Sequence, residues 1–137
     1  MLEKRKGIPA KKGYFTTKST QVVRYDSMTE LAMMMYFETT PLRWQKNTKL
    51  RIPYVFEGKN RNYIPDFIIT ARKDAPAQLL EIKGSNDKPE LPFKCAAAEE
   101  YCKKCGMEFK LIPYDEVRNF IDWKLVQEYH KKQENDI

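Results

Sequence analysis

Histidine is almost missing from this chain: His130 is the only one in 137 residues. Its isolation argues against a Ser-His or Cys-His catalytic pair and against a metal centre built on imidazoles. His130 stands four residues before Glu134 in a charged segment, so a surface position is expected for it. Cysteine is scarce as well, and the three present are an odd number. That speaks against a disulfide framework and agrees with a reducing compartment. Cys102 and Cys105 have the spacing of half a zinc site, but no second pair exists to complete four ligands. Cys95, Cys102 and Cys105 fall towards one side of a helix and are expected to be buried there. Long apolar runs are also lacking. Nothing approaches the roughly 18 residues of a membrane span, and Met1 to Lys6 has no signal-peptide core, so a cytoplasmic protein with no membrane partner is expected.

What is present is the composition of a soluble globular protein, 42% hydrophobic and 32% charged, at a length that suits one domain. The net charge of +6 is unevenly placed. Residues 1–18 carry Lys4, Arg5, Lys6, Lys11, Lys12 and Lys18 against Glu3 alone. Residues 43–61 carry Arg43, Lys46, Lys49, Arg51, Lys59 and Arg61 against Glu57 alone. The rest of the chain is net acidic. Such concentration suits docking of a polyanion, although solubilising surface charge explains either patch taken singly.

The order of elements is legible from periodicity and punctuation. Residues 1–20 show no sustained period and read as a basic flexible arm, followed by a single domain over 21–132 and a polar tail over 133–137. Ser27 and Glu30 form a capping box for a first helix, with Leu31, Met34, Met35 and Phe37 at helical spacing and Pro41 beyond its end. Residues 50–56 read as a strand, 61–70 as its return after the Glu57-Gly58-Lys59-Asn60 turn, and 78–83 as a third strand after Lys73-Asp74-Ala75-Pro76. A helix over 91–105 stops at Gly106, a strand follows over 108–112, and a last helix runs over 115–132. The fold class expected is α/β: a three-stranded antiparallel meander plus a fourth strand joined by a crossover helix, flanked by helices.

Three charges sit oddly in this scheme. Asp66 opens one apolar strand, and Glu81 and Lys83 lie inside another. Strand alternation puts Glu81 and Lys83 on one face and Leu80 and Ile82 on the other, so the first two should emerge opposite the core. If the hairpin pairs in register, Asp66 lies beside them. Converging carboxylates repel, which favours a divalent cation between them, and oxygen donors suit Mg²⁺ or Mn²⁺. A lysine beside such a site can hold water or offset developing negative charge. Each residue alone is more simply a surface ion pair or a turn cap; the combination carries the reading.

At these residues the chain resembles the PD-(D/E)xK nuclease superfamily, through Pro65-Asp66 and Glu81-Ile82-Lys83. It is similar in particular to the catalytic domain of TnsA-like transposon endonucleases, through Ser27-x-x-Glu30, Gln45, Tyr63-Ile64-Pro65-Asp66-Phe67 and Leu80-Glu81-Ile82-Lys83-Gly84, over roughly residues 22–113. The resemblance implies a restriction-endonuclease-like core and a Mg²⁺-dependent (or Mn²⁺-dependent) endodeoxyribonuclease. Asp66, Glu81 and the Ile82 carbonyl would ligate the metal, Lys83 would position water, and Glu30 would complete the acidic, metal-binding site. Glu30 is explained equally by the capping box, and Glu38 is a weaker substitute.

DNA is the partner this implies. Arg51, Lys59 and Arg61 around the first hairpin, Lys88 and Lys94 after the motif, and Lys11 and Lys12 in the arm are the expected contacts to its backbone. TnsA-like proteins carry a further C-terminal domain for partner subunits, whereas one helix and a polar tail follow the last strand here. A stand-alone nuclease of a phage or mobile element is therefore expected alongside one working with a recombination or transposase subunit, or as a homodimer. A Holliday-junction resolvase and a non-catalytic DNA-binding or assembly subunit that kept the fold are the alternatives.

Overall fold

A computed structural model describes residues 11–71, 74–83 and 88–135. Residues 1–10 of the basic arm, 72 and 73 of the second turn, 84–87 after the Glu-Ile-Lys run, and the last two residues lie outside the described residues. In chain order the elements are β1 (Gly13–Thr16), β2 (Val22–Tyr25), α1 (Met28–Phe37), β3 (Arg43–Lys46), β4 (Ile52–Phe56), β5 (Lys59–Tyr63), β6 (Phe67–Ala71), β7 (Gln78–Lys83), α2 (Leu91–Cys105), β8 (Glu108–Pro113), α3 (Tyr114–Asn119) and α4 (Trp123–Asn135). Among the described residues they fall into two compact units, one within residues 11–40 and 120–135 and the other within 41–119.

The second unit holds a four-stranded sheet in the order β3-β6-β7-β8. β6 pairs antiparallel with both β3 and β7, and β8 joins β7 in parallel after the α2 crossover. This is the small mixed sheet expected, with one substitution of membership. The third antiparallel strand is Arg43–Lys46, not residues 50–56. Residues 52–63 instead form a separate two-stranded ribbon, β4–β5, closed by Glu57 and Gly58, both at positive φ as a tight hairpin of this hand requires. The strand expected over 61–70 is accordingly broken at Ile64-Pro65-Asp66. Pro65 is fully buried and has no N–H to give a ladder, so the chain turns from one sheet into the next at that point.

The ribbon does not stand free. Ile52, Tyr54 and Tyr63 on its inner face pack with Leu79 of β7 and with Ala98 and Cys102 of α2. The Tyr54 hydroxyl and Arg61 both donate to Glu90 at the start of α2, at 3.1 and 3.2 Å, and Phe56 meets Phe93 edge-on. α2 starts and stops where the sequence predicts, and Gly106 takes the left-handed conformation that ends it. Only Cys102 of the three cysteines is buried. Cys95 is half-buried and Cys105 exposed, because α2 turns a narrower stripe to the core than their spacing suggested.

In the first unit, α1 begins as expected, with the Glu30 N–H donating to Ser27 Oγ at 3.1 Å. The segment read as a flexible arm contains β1, and the tail contains the last turn of α4. The single helix expected over 115–132 is two, interrupted between Asn119 and Trp123. α4 is tied to β1: the Tyr14 N–H donates to Gln133 Oε1 at 2.8 Å, and the Thr16 N–H to the Tyr129 hydroxyl at 3.0 Å. His130 is 5% exposed and not a surface residue. Its Nδ1 shares a 2.7 Å hydrogen bond with the hydroxyl of Tyr25, itself fully buried. The helix's charged composition hid that inward face.

Gly13 lies against this pair. A Cβ at Gly13 would overlap the Tyr25 hydroxyl and stand 2.7 Å from Gln133 Oε1. Gly13→Ala is expected to lower stability by about 1–3 kcal/mol through overpacking, read as a lower unfolding midpoint in urea; an unchanged midpoint would show that the hairpin yields freely.

Candidate active site

The site is built where β6 and β7 meet the broken end of the ribbon. Phe67 pairs with Leu80 and Ile68 with Leu79. One more step of that antiparallel register puts Asp66 across from Glu81. The contact is made: the Ile82 N–H on β7 donates to Asp66 Oδ2 at 3.0 Å. Asp66 is held from the other side as well. The Asn47 N–H donates to the Asp66 carbonyl at 2.9 Å. The buried Asn47 amide donates to the carbonyls of Leu50 and Pro65, both at 3.0 Å, and accepts from the Leu50 N–H at 2.9 Å. Asn47 thus clamps the turn after β3 to the break before β6. No sequence motif pointed to it; its only signal is an asparagine between a strand and a turn, a position where it bonds its own backbone.

Alternation works as predicted but with a different result. Leu79, Glu81 and Lys83 share a face with Asp66 and Ile68, and that face is not open. Leu79 is completely buried in the cluster with α2 and the ribbon, and Phe109 of β8, opposite Leu79, packs there too. Both faces of the sheet carry core residues, since Phe67, Ile69 and Leu80 on the other face are also buried. Glu81 therefore emerges from beneath a covered layer. Its Oε1 is buried and has no hydrogen-bond partner.

Burial and then the charge of Asp66 push the Glu81 carboxyl up to about 8; the Tyr63 hydroxyl, the Lys94 ammonium and the Asp66 N–H offset part of the rise. The two carboxylates are close enough to oppose each other's ionisation. Lys94, expected at the DNA backbone, is half-buried with Nζ 5.7 Å over the Tyr63 ring. Cys95, the next residue of α2, lies within the field of Glu81, Lys83 and Lys94; burial, then Glu81, pushes its thiol up. Lys83 lines a cleft of about 380 Å³ with Lys88, Pro89, Leu91 and Pro92.

The other expected contacts are distributed around this centre. Arg51, Lys59 and Lys88 are exposed. Arg61 is engaged within the unit, bonded to Glu90 and with its guanidinium 5.6 Å over the Phe56 ring. Gln45 is exposed on β3, opposite Ile68. Lys11, Lys12 and Glu30 belong to the other unit. Glu30 Oε1 accepts the Asp26 N–H at 2.7 Å, so its capping arm reaches one residue further back than a standard box.

Residues 38–113, more than half of the chain, match the family model described as TnsA-like endonuclease N terminal. The chain belongs to that family. No curated protein matches it. The TnsA-like match spans the whole four-stranded sheet, the ribbon and α2, and it makes the protein nuclease-related; Glu30 precedes the matched residues. The donor set fits a hard divalent cation of the kind that keeps several waters and needs only one or two protein carboxylates. Asp66 and Glu81 supply those, and Glu81 Oε1 is buried without a hydrogen-bond partner. Among the described residues, no three or more His, Cys, Asp and Glu side chains gather as a metal cage. No described helix is long and apolar enough to cross a membrane.

Two outcomes follow from this arrangement. Asn47→Ala should cost about 1–3 kcal/mol by stranding buried backbone partners, measured by urea unfolding; a loss under 0.5 kcal/mol, about the size of an ordinary surface change, would mean water replaces the amide. For Glu81, the unfolded carboxyl ionises in the ordinary range while the folded one holds its proton to about pH 8. Between those values the unfolded state binds fewer protons, so metal-free stability attributable to Glu81 falls as pH rises. Thermal unfolding of wild type against Glu81→Gln should show the wild type losing ground from about pH 5 to 8, and parallel curves would place the carboxyl in the ordinary range.

Proposed function

We propose that the chain is a metal-dependent DNA endonuclease of the PD-(D/E)xK type, hydrolysing phosphodiester bonds. The observation that carries the reading is the pairing of Asp66 with Glu81. A carboxylate pinned by the Ile82 N–H stands opposite one that is half-buried and carries an unpartnered oxygen. A purely structural strand pair gains nothing from two opposed acids in a covered layer. A non-catalytic subunit that merely kept the fold would have no use for that repulsion.

Asp66 and Glu81 would hold Mg²⁺ or Mn²⁺, with the Ile82 carbonyl as the third ligand that the family resemblance implies. When bound, the cation supplies a Lewis acid and a lowered pKa for water. Lys83, two residues beyond Glu81 on the same face, would orient the attacking water and offset the charge that grows on the phosphate oxygens. Attack at phosphorus breaks one P–O ester bond, and the leaving oxygen takes a proton. The exposed Arg51, Lys59 and Lys88 would follow the DNA backbone, fixing register without reading sequence. Family membership supports a recombination or transposase subunit as partner.

Supercoiled plasmid and branched DNA incubated with Mg²⁺ or Mn²⁺ test this directly. Wild type should nick or linearise, while Asp66→Ala and Lys83→Ala should lose at least about 100-fold in rate, the scale of removing one charge-stabilising group. A wild type that cuts neither substrate, or variants that cut equally well, would overturn the reading. Preference for the branched substrate would favour junction resolution.

A further inference from the structure

Tyr63 ends β5 with its ring in the cluster formed with Leu79, Ala98 and Cys102, and the residue is 3% exposed. A phenylalanine would fill that volume equally well and would spare the burial of a hydroxyl. The hydroxyl is nevertheless there, buried, with no hydrogen-bond partner. Leaving such a group unpaired costs about 1–3 kcal/mol. Among the described residues, the buried side-chain polar atoms in this condition are the Tyr63 hydroxyl, Glu81 Oε1 and Arg61 Nε. The first two are complementary, one a donor and the other an acceptor, and each lies within the other's electrostatic reach. After burial, Glu81 is the largest influence on the Tyr63 phenol, raising its pKa, and Asp66 follows. Lys94 Nζ lies 5.7 Å over the face of the same ring.

We propose that Tyr63 is the positioning residue for Glu81: its hydroxyl supplies the hydrogen bond that Glu81 Oε1 lacks and so sets the carboxylate's orientation towards Asp66 and a bound cation. This rests on the metal-dependent reading above and deepens it. A carboxylate that ligates a metal is commonly held by an outer partner, and losing that partner weakens metal binding by roughly 10–100-fold. The arrangement also explains why the ribbon is docked so firmly on α2 through Glu90 and Phe93. A ribbon free to rock would carry Tyr63 away from Glu81.

Tyr63→Phe removes only the hydroxyl and keeps the ring, its packing and its contact with Lys94. Mn²⁺ binding to the full chain without DNA, followed by the electron paramagnetic resonance of the free ion, should weaken about 10-fold or more. The Mn²⁺ concentration for half-maximal plasmid cleavage should rise by the same factor, with little change in rate at saturating metal. The metal-free melting temperature should be unchanged or higher, whereas a merely structural role would lower it and leave metal affinity alone. Equal Mn²⁺ affinity in wild type and Tyr63→Phe would overturn the assignment while leaving the nuclease reading intact. A wild type that binds no Mn²⁺ would overturn both.

Discussion

The hydrogen bond from the Ile82 N–H to Asp66 Oδ2 is the point on which the rest of the second unit turns. It joins the end of one β-structure to the middle of another. Up to Tyr63 the chain belongs to the ribbon, and from Phe67 to the sheet. Between them, Pro65 can donate nothing to a ladder. The break would be a weak seam if its backbone were left to water in a buried place. Instead Asn47 takes the Pro65 and Asp66 carbonyls, and β7 takes the Asp66 side chain. The carboxylate proposed as a metal ligand is thereby a structural bond as well. Its position is set by three separate pieces of chain, β3's following turn, the break itself and β7, none of which can shift without the others.

That economy brings a conflict, and the conflict is chemically useful. Register puts Glu81 across from Asp66, and the α2–ribbon layer covers the strand up to Leu79. Glu81 is the first residue along β7 to leave the apolar layer, too far in for full hydration and too close to Asp66 for easy ionisation. Desolvation and like charge push in the same direction. Relief comes from two groups that the covering layer itself supplies, the Lys94 ammonium from α2 and the Tyr63 hydroxyl from β5. The elements that destabilise the charge are the ones that moderate it.

Much of this was written plainly in the sequence, and the reasons are local. Ser27 and Glu30 mark a helix start, Gly106 marks a stop, and the run Gln78–Lys83 is a strand because its alternation and apolar content leave no other reading. Two-residue alternation also suffices to put Glu81 and Lys83 on one face. What stayed hidden depends on pairing between distant segments. Arg43–Lys46 is polar and short, with Trp44 its one apolar residue, so hydropathy favoured Ile52–Phe56 as the sheet's third strand. Edge strands need little apolar content because only part of each face is covered, and that is why this one was inconspicuous. His130 reads as a surface residue until Tyr25, 105 positions earlier, is seen to hold it. Asn47 belongs to no short motif, and Tyr63, although it opens the Tyr63-Ile64-Pro65-Asp66-Phe67 run, carries no sign there of its burial against α2; both placements exist only once the break at Pro65 is folded.

The basic segment between Arg43 and Arg61 shows how a charge count divides once it is given a structure. Arg61 is spent inside the unit, against Glu90 and over Phe56, where its role is to bind the ribbon to α2. Arg51 and Lys59 remain on the outside of the same ribbon. One arginine holds the platform and its neighbours present charge from it. The same division runs through the start of α2 and the residues just before it. Lys88 is exposed beside the cleft that Lys83 lines, while Lys94 faces inward to Tyr63 and Glu81. Positive charge in this unit is therefore arranged in two layers. An inner layer settles the acids and docks the ribbon, and an outer one faces solvent. Because the ribbon leads through Ile64 and Pro65 straight into Asp66, the outer charges are tied by a short stretch of chain to the acids. The short covalent path from ribbon to acid makes the placement of the outer charges and that of Asp66 a single constraint.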